Sequence, residues 1–318
     1  MNVLIADKFP EEQQKMLREA GFKVVSEPNL KGEALVEAMV KQTPEILIVR
    51  STKVPEEAIA AFPGLSLIVR AGAGYDTIDV EAASRRSVFV ANCPGMNSIA
   101  VAELAFAHIL SLDRRIPDNV ADLRNGVWNK GEYSKADGIY GKTLGIIGMG
   151  RIGRELAMRA KAFGMQVVAW SRSLTPEKAE ALGIHALYSP EAVAGASEVV
   201  SLHVASTPDT KGIAGKAFFD AMKPGAYFIN TSRAETVDHQ ALRKAVKEKG
   251  IRAGLDVFEG EGSGKDGSVE SDLFDLPGVY GTHHIGASTA QAQAAVADEV
   301  VRIVTSYLKT GQVPNVVN

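Results

Sequence analysis

Thr143 to Ser173 reads TLGIIGMGRIGRELAMRAKAFGMQVVAWSRS, and the fold turns on this stretch. Leu144 to Ile147 is a short apolar run, followed by Gly148, Gly150 and Gly153 in the spacing G-x-G-x-x-G. Arg154 to Phe163 has helical periodicity, with Leu156, Ala157, Ala160 and Phe163 on one face. After Gly164 a second apolar strand runs from Gln166 to Trp170. Strand, glycine turn, helix and strand within about 30 residues make a dinucleotide-binding βαβ unit. Gly148 suits the tight turn, Gly150 lets the backbone approach a pyrophosphate, and Gly153 lets the helix pack on the strand. Free N–H groups and the helix dipole favour phosphate at the helix start. Glycine-rich turns also occur as plain loops, so the flanking strands and helix carry the reading.

The whole chain bounds what such a unit can serve. Its 318 residues allow one or two domains, and 46% apolar residues suffice for a large core. A net charge of −3 offers no basic field to nucleic acid or an anionic membrane, so neither partner is expected. Cys93 is the only cysteine, which suits a reducing cytoplasm, the expected location. The opening MNVLIADKF reads as a strand rather than a signal peptide. No apolar run of about 18 residues predicts a membrane span. His283 and His284 are adjacent, and consecutive strand residues would point opposite ways, so no metal site is expected.

Outward from the glycine unit, the first hundred residues alternate strands with helices. Strands are expected at Val3–Ala6, Lys23–Val25, Ile46–Val49, Leu67–Val69 and Val88–Val90. Helices are expected at Pro10–Ala20, Lys31–Lys41, Pro55–Ala61 and Ile78–Arg85. This rhythm implies a mostly parallel sheet covered on both faces, with ligands beyond the strand C-terminal ends. From Ser98, a plausible N-cap, one long helix to Ile116 is apolar over a wide arc. It reads as a crossing between domains and a dimer surface, or as an ordinary core helix. Further strands are expected at Glu198–His203, Tyr227–Asn230, Ala253–Val257 and Val279–Tyr280, and helices at Gly215–Met222 and His239–Lys249. Glu259 to Ser271 is rich in Gly, Ser and charge and reads as a surface loop. The last helix, Thr289–Leu308, is expected to return to the first domain.

Three strand ends of the second half carry chemistry: Arg233 after Asn230, Asp256 to Glu261, and His283-His284. Arginine can grip a substrate carboxylate in two prongs. Histidine can exchange a hydroxyl proton near neutral pH, and a carboxylate beside it favours the imidazolium. Together they suit carbonyl/alcohol hydride exchange, the hydride coming from a nicotinamide. Alone, each has a plainer reading: a surface ion pair, a solvated carboxylate or a structural histidine.

The chain resembles the D-isomer-specific 2-hydroxyacid dehydrogenases, and among them the D-3-phosphoglycerate dehydrogenases, over nearly its whole length. The matching segments are VRSTKV from Val49, RAGAGYDTID from Arg70, NCPGMNSIAVAEL from Asn92 and GKTLGIIGMGRIGRE from Gly141. NTSRAETVD from Asn230, GLDVFEGE from Gly254 and HIGAST from His284 complete the series. The resemblance implies an α/β protein of two Rossmann-like, doubly wound parallel-sheet domains with the active-site cleft between them. A discontinuous substrate domain would span 1–97 plus 287–318, and the dinucleotide domain 98–286. The family's catalytic residues fall on Arg233, Glu261 and His284. Substrate positions fall on Arg50, Ser51, Ala73, Gly74 and Asn97. Cofactor positions fall on Gly148, Gly150, Arg151, Ile152, Gly153, Val204, Thr231, Asp256 and Gly286. Departures are Gly262 and His283 where the family has proline, and Ala234 where glycine often follows the arginine. With the sequence ending at Asn318, the appended regulatory domain of longer relatives, and serine feedback through it, are not expected.

The expected activity is reversible NAD(P)-dependent oxidation of a D-2-hydroxy acid, or reduction of the 2-oxo acid. Arg50 with Lys53 could meet a distal phosphate, as in phosphoglycerate dehydrogenases. An NADP-dependent glyoxylate/hydroxypyruvate reductase is the alternative, because Ser171 stands where NAD-specific units carry an acid for the ribose hydroxyls. Arg172, Ser171 and Ser173 could hold a 2′-phosphate, so NADP(H) is expected over NAD(H). A homodimer is expected. A non-catalytic dinucleotide-sensing regulator is the reading from another class, and the intact Arg233, Glu261 and His284 favour the enzyme over it.

Overall fold

The computed structural model describes residues 1–261 and 271–318. The chain divides into two compact units, Met1–Asn97 with Ser288–Asn318, and Ser98–Ala287.

The first unit alternates β1 (Asn2–Ile5), α1 (Glu11–Glu19), β2 (Lys23–Ser26), α2 (Glu33–Gln42), β3 (Ile46–Val49), α3 (Glu56–Ala60), β4 (Leu67–Arg70), α4 (Val80–Arg85) and β5 (Phe89–Asn92). The strands pair in parallel in the order β2-β1-β3-β4-β5. Alternate residues serve opposite faces, as strand geometry requires. Leu4, Leu47 and Ile68 pack with Leu35, Met39 and Ile59 on one side. Val3, Ile5, Ile48 and Val69 pack with Leu17, Val300, Ile303 and Val304 on the other. Both faces are covered, which explains continuous apolar strands without a polar side.

The second unit contains α5 (Ser98–Arg114), α6 (Ile116–Arg124), α7 (Lys130–Tyr133), β6 (Thr143–Ile147), α8 (Arg151–Ala162), β7 (Gln166–Trp170), α9 (Pro176–Ala181), β8 (His185–Ala186), α10 (Pro190–Ala196), β9 (Val199–Leu202), α11 (Lys216–Ala221), β10 (Tyr227–Asn230), α12 (His239–Lys249), β11 (Arg252–Leu255) and β12 (Val279–Gly281). The last helix, α13 (Ala290–Thr310), belongs to the first unit. The second sheet is parallel, ordered β12-β11-β10-β9-β6-β7-β8. The order reverses between β6 and β9, a topological switch point at which α/β sheets bind ligands. Leu144 and Ile146 pack under Ala105, Ile109 and Leu156 on one face. Ile147, Val200 and Phe228 pack under Phe218, Phe219 and Leu242 on the other.

Four expectations need correction. The long helix is two, because Arg115 adopts a left-handed φ of 48° and is held by Asp118 at 3.1 Å and by Glu132. Ser98 is the first helical residue rather than the cap, and α5 packs as a core helix of the second unit. Phe163 ends α8 outside the core at 49% exposure, resting on Phe106 with ring centroids 4.6 Å apart. His283 and His284 lie beyond β12, not in a strand. Most of the loop expected at Glu259–Ser271, with Gly262, lies outside the described residues.

Candidate active site

The glycine turn closes the C-terminal end of β6. Gly148 has φ of 104°, and a Cβ there would lie 2.4 Å from the carbonyl oxygen of His203. A Cβ on Gly153 would lie 2.3 Å from the carbonyl oxygen of Gly148, so α8 packs on the turn only without a side chain. A Cβ on Gly150 would meet nothing within 4 Å. Gly150 is also the N-cap of α8, and no side chain caps it. The first turn of α8, which begins with Arg151 and Ile152, therefore has no side-chain cap on its N–H groups, and there is room at Gly150 for a ligand to approach them. Val204 flanks the same turn, its Cγ1 3.1 Å from a Cβ built on Gly148. The Thr231 hydroxyl, after β10, is buried without a hydrogen-bond partner among the described residues. A buried orphan hydroxyl and an open cradle at the switch point fit a bound dinucleotide.

At the end of β7, Ser171 turns the chain by accepting the N–H of Leu174 at 3.1 Å. Arg172 and Ser173 are exposed. Arg172 Nη1 reaches Asp209 at 3.4 Å, both side chains more than two-thirds exposed. Such a pair contributes roughly 0–1 kcal/mol, so the guanidinium is available to a stronger anion.

The segments after β10, β11 and β12 carry Arg233, Glu261 and His284. His284 Nδ1 lies 2.6 Å from Glu261 Oε1. Phe258 donates its N–H to Glu261 Oε2 at 3.1 Å. Burial alone would raise the Glu261 pKa. The hydrogen bond and charge of His284, the Phe258 N–H and the Arg233 charge outweigh it and hold the carboxyl below the usual 4.5. An ionised carboxylate only accepts, so Nδ1 carries the proton and Nε2 is the nitrogen left to exchange one. Arg233 is placed by the turn after β10. Asn230 Oδ1 accepts from Ser232 N and Oγ at 2.9 and 2.7 Å, and Asn230 Nδ2 donates to the Arg233 carbonyl at 3.0 Å. The structure thus brings Glu261 and His284 into contact, with the Arg233 charge felt at Glu261.

Asp256, expected as a cofactor contact, accepts three donors of the protein itself. It is 1% exposed and accepts Thr282 Oγ1 at 2.6 Å, Ile285 N at 2.9 Å and Gly286 N at 2.8 Å. Asp256 and Gly286 therefore hold each other, and together they anchor the segment that carries His284.

The expected substrate residues lie in the first unit. Asp7, at the switch between β1 and β3, accepts the N–H groups of Arg50, Ser51 and Thr52 at 2.6, 3.1 and 3.1 Å. Ser51 Oγ donates to the same carboxylate at 3.2 Å. These amides are occupied, and burial, which would raise the Asp7 pKa, is outweighed by their hydrogen bonds. Lys53 is exposed. The Ala73 carbonyl accepts Asn92 Nδ2 at 2.6 Å, which fixes the Ala73-Gly74 turn. Asn97 ends the segment and is half-buried. Asp7 is the polar residue of these strand ends that sequence reasoning missed. The described residues contain no metal-binding cluster and no helix able to cross a membrane.

A family model for the D-isomer specific 2-hydroxyacid dehydrogenase NAD binding domain matches residues 106–286. The chain belongs to the D-isomer specific 2-hydroxyacid dehydrogenase family. It is 38% identical to a D-3-phosphoglycerate dehydrogenase of Methanocaldococcus jannaschii over 100% of its own length and 59% of that protein's. It is 37% identical to a glyoxylate reductase of Thermococcus litoralis over 99% of its own length and 96% of that protein's. The chain thus spans little more than half of the phosphoglycerate dehydrogenase. An NADPH-dependent glyoxylate/hydroxypyruvate reductase from Sinorhizobium meliloti, solved with NADP and malonate, matches with a TM-score of 0.84 and 29% identity, covering 99% of this chain and 96% of that one. A 3-phosphoglycerate dehydrogenase from Entamoeba histolytica, solved with NAD+, matches with a TM-score of 0.82 and 28% identity, covering 100% and 98%. The family binds NAD(P), and its members hold either dinucleotide.

Proposed function

We propose that this chain is an NAD(P)-dependent D-2-hydroxyacid dehydrogenase, acting as a 2-oxoacid reductase in the reverse direction. The observation that carries the reading is the His284–Glu261 contact at 2.6 Å beyond the same sheet edge as the glycine turn. A nicotinamide supplies the hydride. Arg233 anchors the substrate carboxylate. His284 gives its Nε2 proton to the carbonyl oxygen during reduction and takes it back during oxidation, and Glu261 stabilises the imidazolium. Ala73, Gly74, Arg50, Ser51 and Asn97 are the substrate-side residues, Arg50 through its guanidinium because its amide is taken by Asp7. Arg151, Ile152 and Thr231 are the cofactor contacts.

NADP(H) is the preferred cofactor in this reading, since no acid stands at Ser171 and Arg172 is held only by an exposed pair. This favours glyoxylate or hydroxypyruvate as substrate, with 3-phosphohydroxypyruvate the other. The experiment compares kcat/KM for NADPH and NADH with these acids, in the parent and in Ser171→Asp/Arg172→Ala. The parent should prefer NADPH and the double variant NADH. A parent preferring NADH tenfold, about 1.4 kcal/mol, refutes the cofactor assignment, and a flat trace with every acid refutes the enzyme.

The protein acts in the cytoplasm as a homodimer. Helix α6 buries none of its residues and exposes Ile116, Val120 and Leu123 on one face, with Trp128 nearby at 80% exposure. Contiguous apolar surface of this kind suits a second copy, and a monomer by sedimentation would refute it.

A further inference from the structure

We propose that His108 is a positioning residue for His284, acting through Thr282 and Asp256. The inference rests on the function assigned above. His108 lies on α5, 4% exposed, on an otherwise apolar stretch. Its Nε2 is 3.1 Å from Thr282 Oγ1. Thr282 has one hydroxyl proton and gives it to Asp256 Oδ1 at 2.6 Å. The threonine oxygen must therefore accept from His108, which fixes the Nε2–H tautomer. Burial keeps the ring below its usual 6.5, the Asp256 charge opposing, so it is neutral at pH 7. Beyond Asp256 the chain of bonds ends on the N–H groups of Ile285 and Gly286, at 2.9 and 2.8 Å. These are the two amides directly after His284.

His284 has a φ of 50°, a left-handed conformation that a non-glycine residue keeps only where its surroundings impose it. The amides that impose it are held by Asp256, and Asp256 is oriented by Thr282, whose lone pair is saturated by His108. Space for the ring is built into β11. A Cβ on Gly254 would lie 2.7 Å from His108 Cβ. A histidine that merely filled the core would need neither this tautomer nor this partner.

The test uses the full chain with His108→Leu, His108→Gln and Thr282→Val. The glutamine amide can donate where Nε2–H does; leucine cannot. The expected result for His108→Leu is a kcat lower by about tenfold, because small misplacements of a reacting group are costly. The KM for the 2-oxo acid and the Kd for NADPH should stay within about twofold. His108→Gln should recover most of the kcat. Thr282→Val should lower kcat similarly, and adding His108→Gln to it should cost nothing further. The His284 ring resonance, identified with His284→Ala, should move in His108→Leu and Thr282→Val and return in His108→Gln. Equal loss in the leucine and glutamine variants, or an unmoved ring signal, overturns the proposal. If the parent reduces none of the acids, the assigned function fails, and the ring signal alone still decides the positioning claim.

Discussion

Replacing Gly150 with alanine separates the ligand role of the glycine turn from its folding role. The backbone at Gly150 has φ −74° and ψ −158°, ordinary extended geometry for any residue. An added Cβ meets no atom within 4 Å, so it creates no clash in the free protein. Alanine also removes conformational freedom from the unfolded chain, worth about 0.4–1 kcal/mol of stability. Against this, alanine is a poorer N-cap than glycine, which costs about 0.5–1 kcal/mol. The two effects nearly cancel, and the unfolding midpoint should stay within a few degrees of the parent. If a pyrophosphate lies over Gly150, the methyl occupies its place. The expected loss is at least 1.4 kcal/mol, or tenfold in Kd. Gly153→Ala should do the reverse. Its Cβ would sit 2.3 Å from the Gly148 carbonyl oxygen, so α8 must shift by most of an ångström. Overpacking of this kind costs about 1–3 kcal/mol, and a unit of this size loses about 2–4 °C per kcal/mol. Thermal unfolding of the free proteins and fluorescence titration with NADPH read both quantities. A Gly150→Ala protein that binds NADPH within twofold of the parent would refute the placement of the pyrophosphate.

Other expectations follow from the same geometry. His284→Ala should lower kcat by about 10²–10⁴-fold with NADPH binding near normal, and the same loss in His283→Ala instead would give the proton-carrying role to His283. Glu261→Gln keeps the shape but loses the ionised acceptor of Nδ1, so kcat should fall while NADPH binding holds; unchanged kcat would remove Glu261 from the mechanism. Burial lowers the pKa of His108, and that of His203 to about 3. Both bind a proton more weakly folded than unfolded, so the stability they carry is complete above about pH 6.5 and is lost as pH falls below it, by up to about 1.4 kcal/mol per pH unit for each. Urea midpoints near pH 7.5 and pH 5.5 measure this, and equal midpoints would contradict it.

Much of this architecture was legible because its signals are local. The apolar strands, the helical periods and the G-x-G-x-x-G turn each depend on residues within one or two turns of chain, and they lie where the residue pattern puts them. The helix break at Arg115 was missed although a signal existed. Pro117 lies at the start of α6, a position that proline prefers. Strand β8 has two residues, too few to show a period. The Arg233, Glu261 and His284 assignment came from a motif resemblance rather than from spacing, since nothing in residues 233, 261 and 284 alone says that their strands end side by side.

The polar scaffold under the site was illegible for a different reason. His108 and Thr282 are separated by 174 positions, and each alone reads as an ordinary residue of its element. Their partnership exists because α5 covers the face of the sheet whose β11 carries Gly254 and leads into Asp256. The same holds for Asp7, whose carboxylate saturates three amides 43 to 45 residues away. In both cases a carboxylate at a strand end is spent on the protein's own backbone. A carboxylate near a site reads as a ligand contact in sequence because its chemistry permits one. Whether it is one depends on how many donors the fold has already aimed at it, and for Asp256 the Thr282 hydroxyl and the amides of Ile285 and Gly286 occupy both oxygens. Asp256→Asn should therefore act chiefly through His284. The asparagine nitrogen cannot accept an N–H, so one of the two amides loses its partner, and kcat should fall more than NADPH affinity. A loss confined to NADPH affinity would return Asp256 to the role of a cofactor contact.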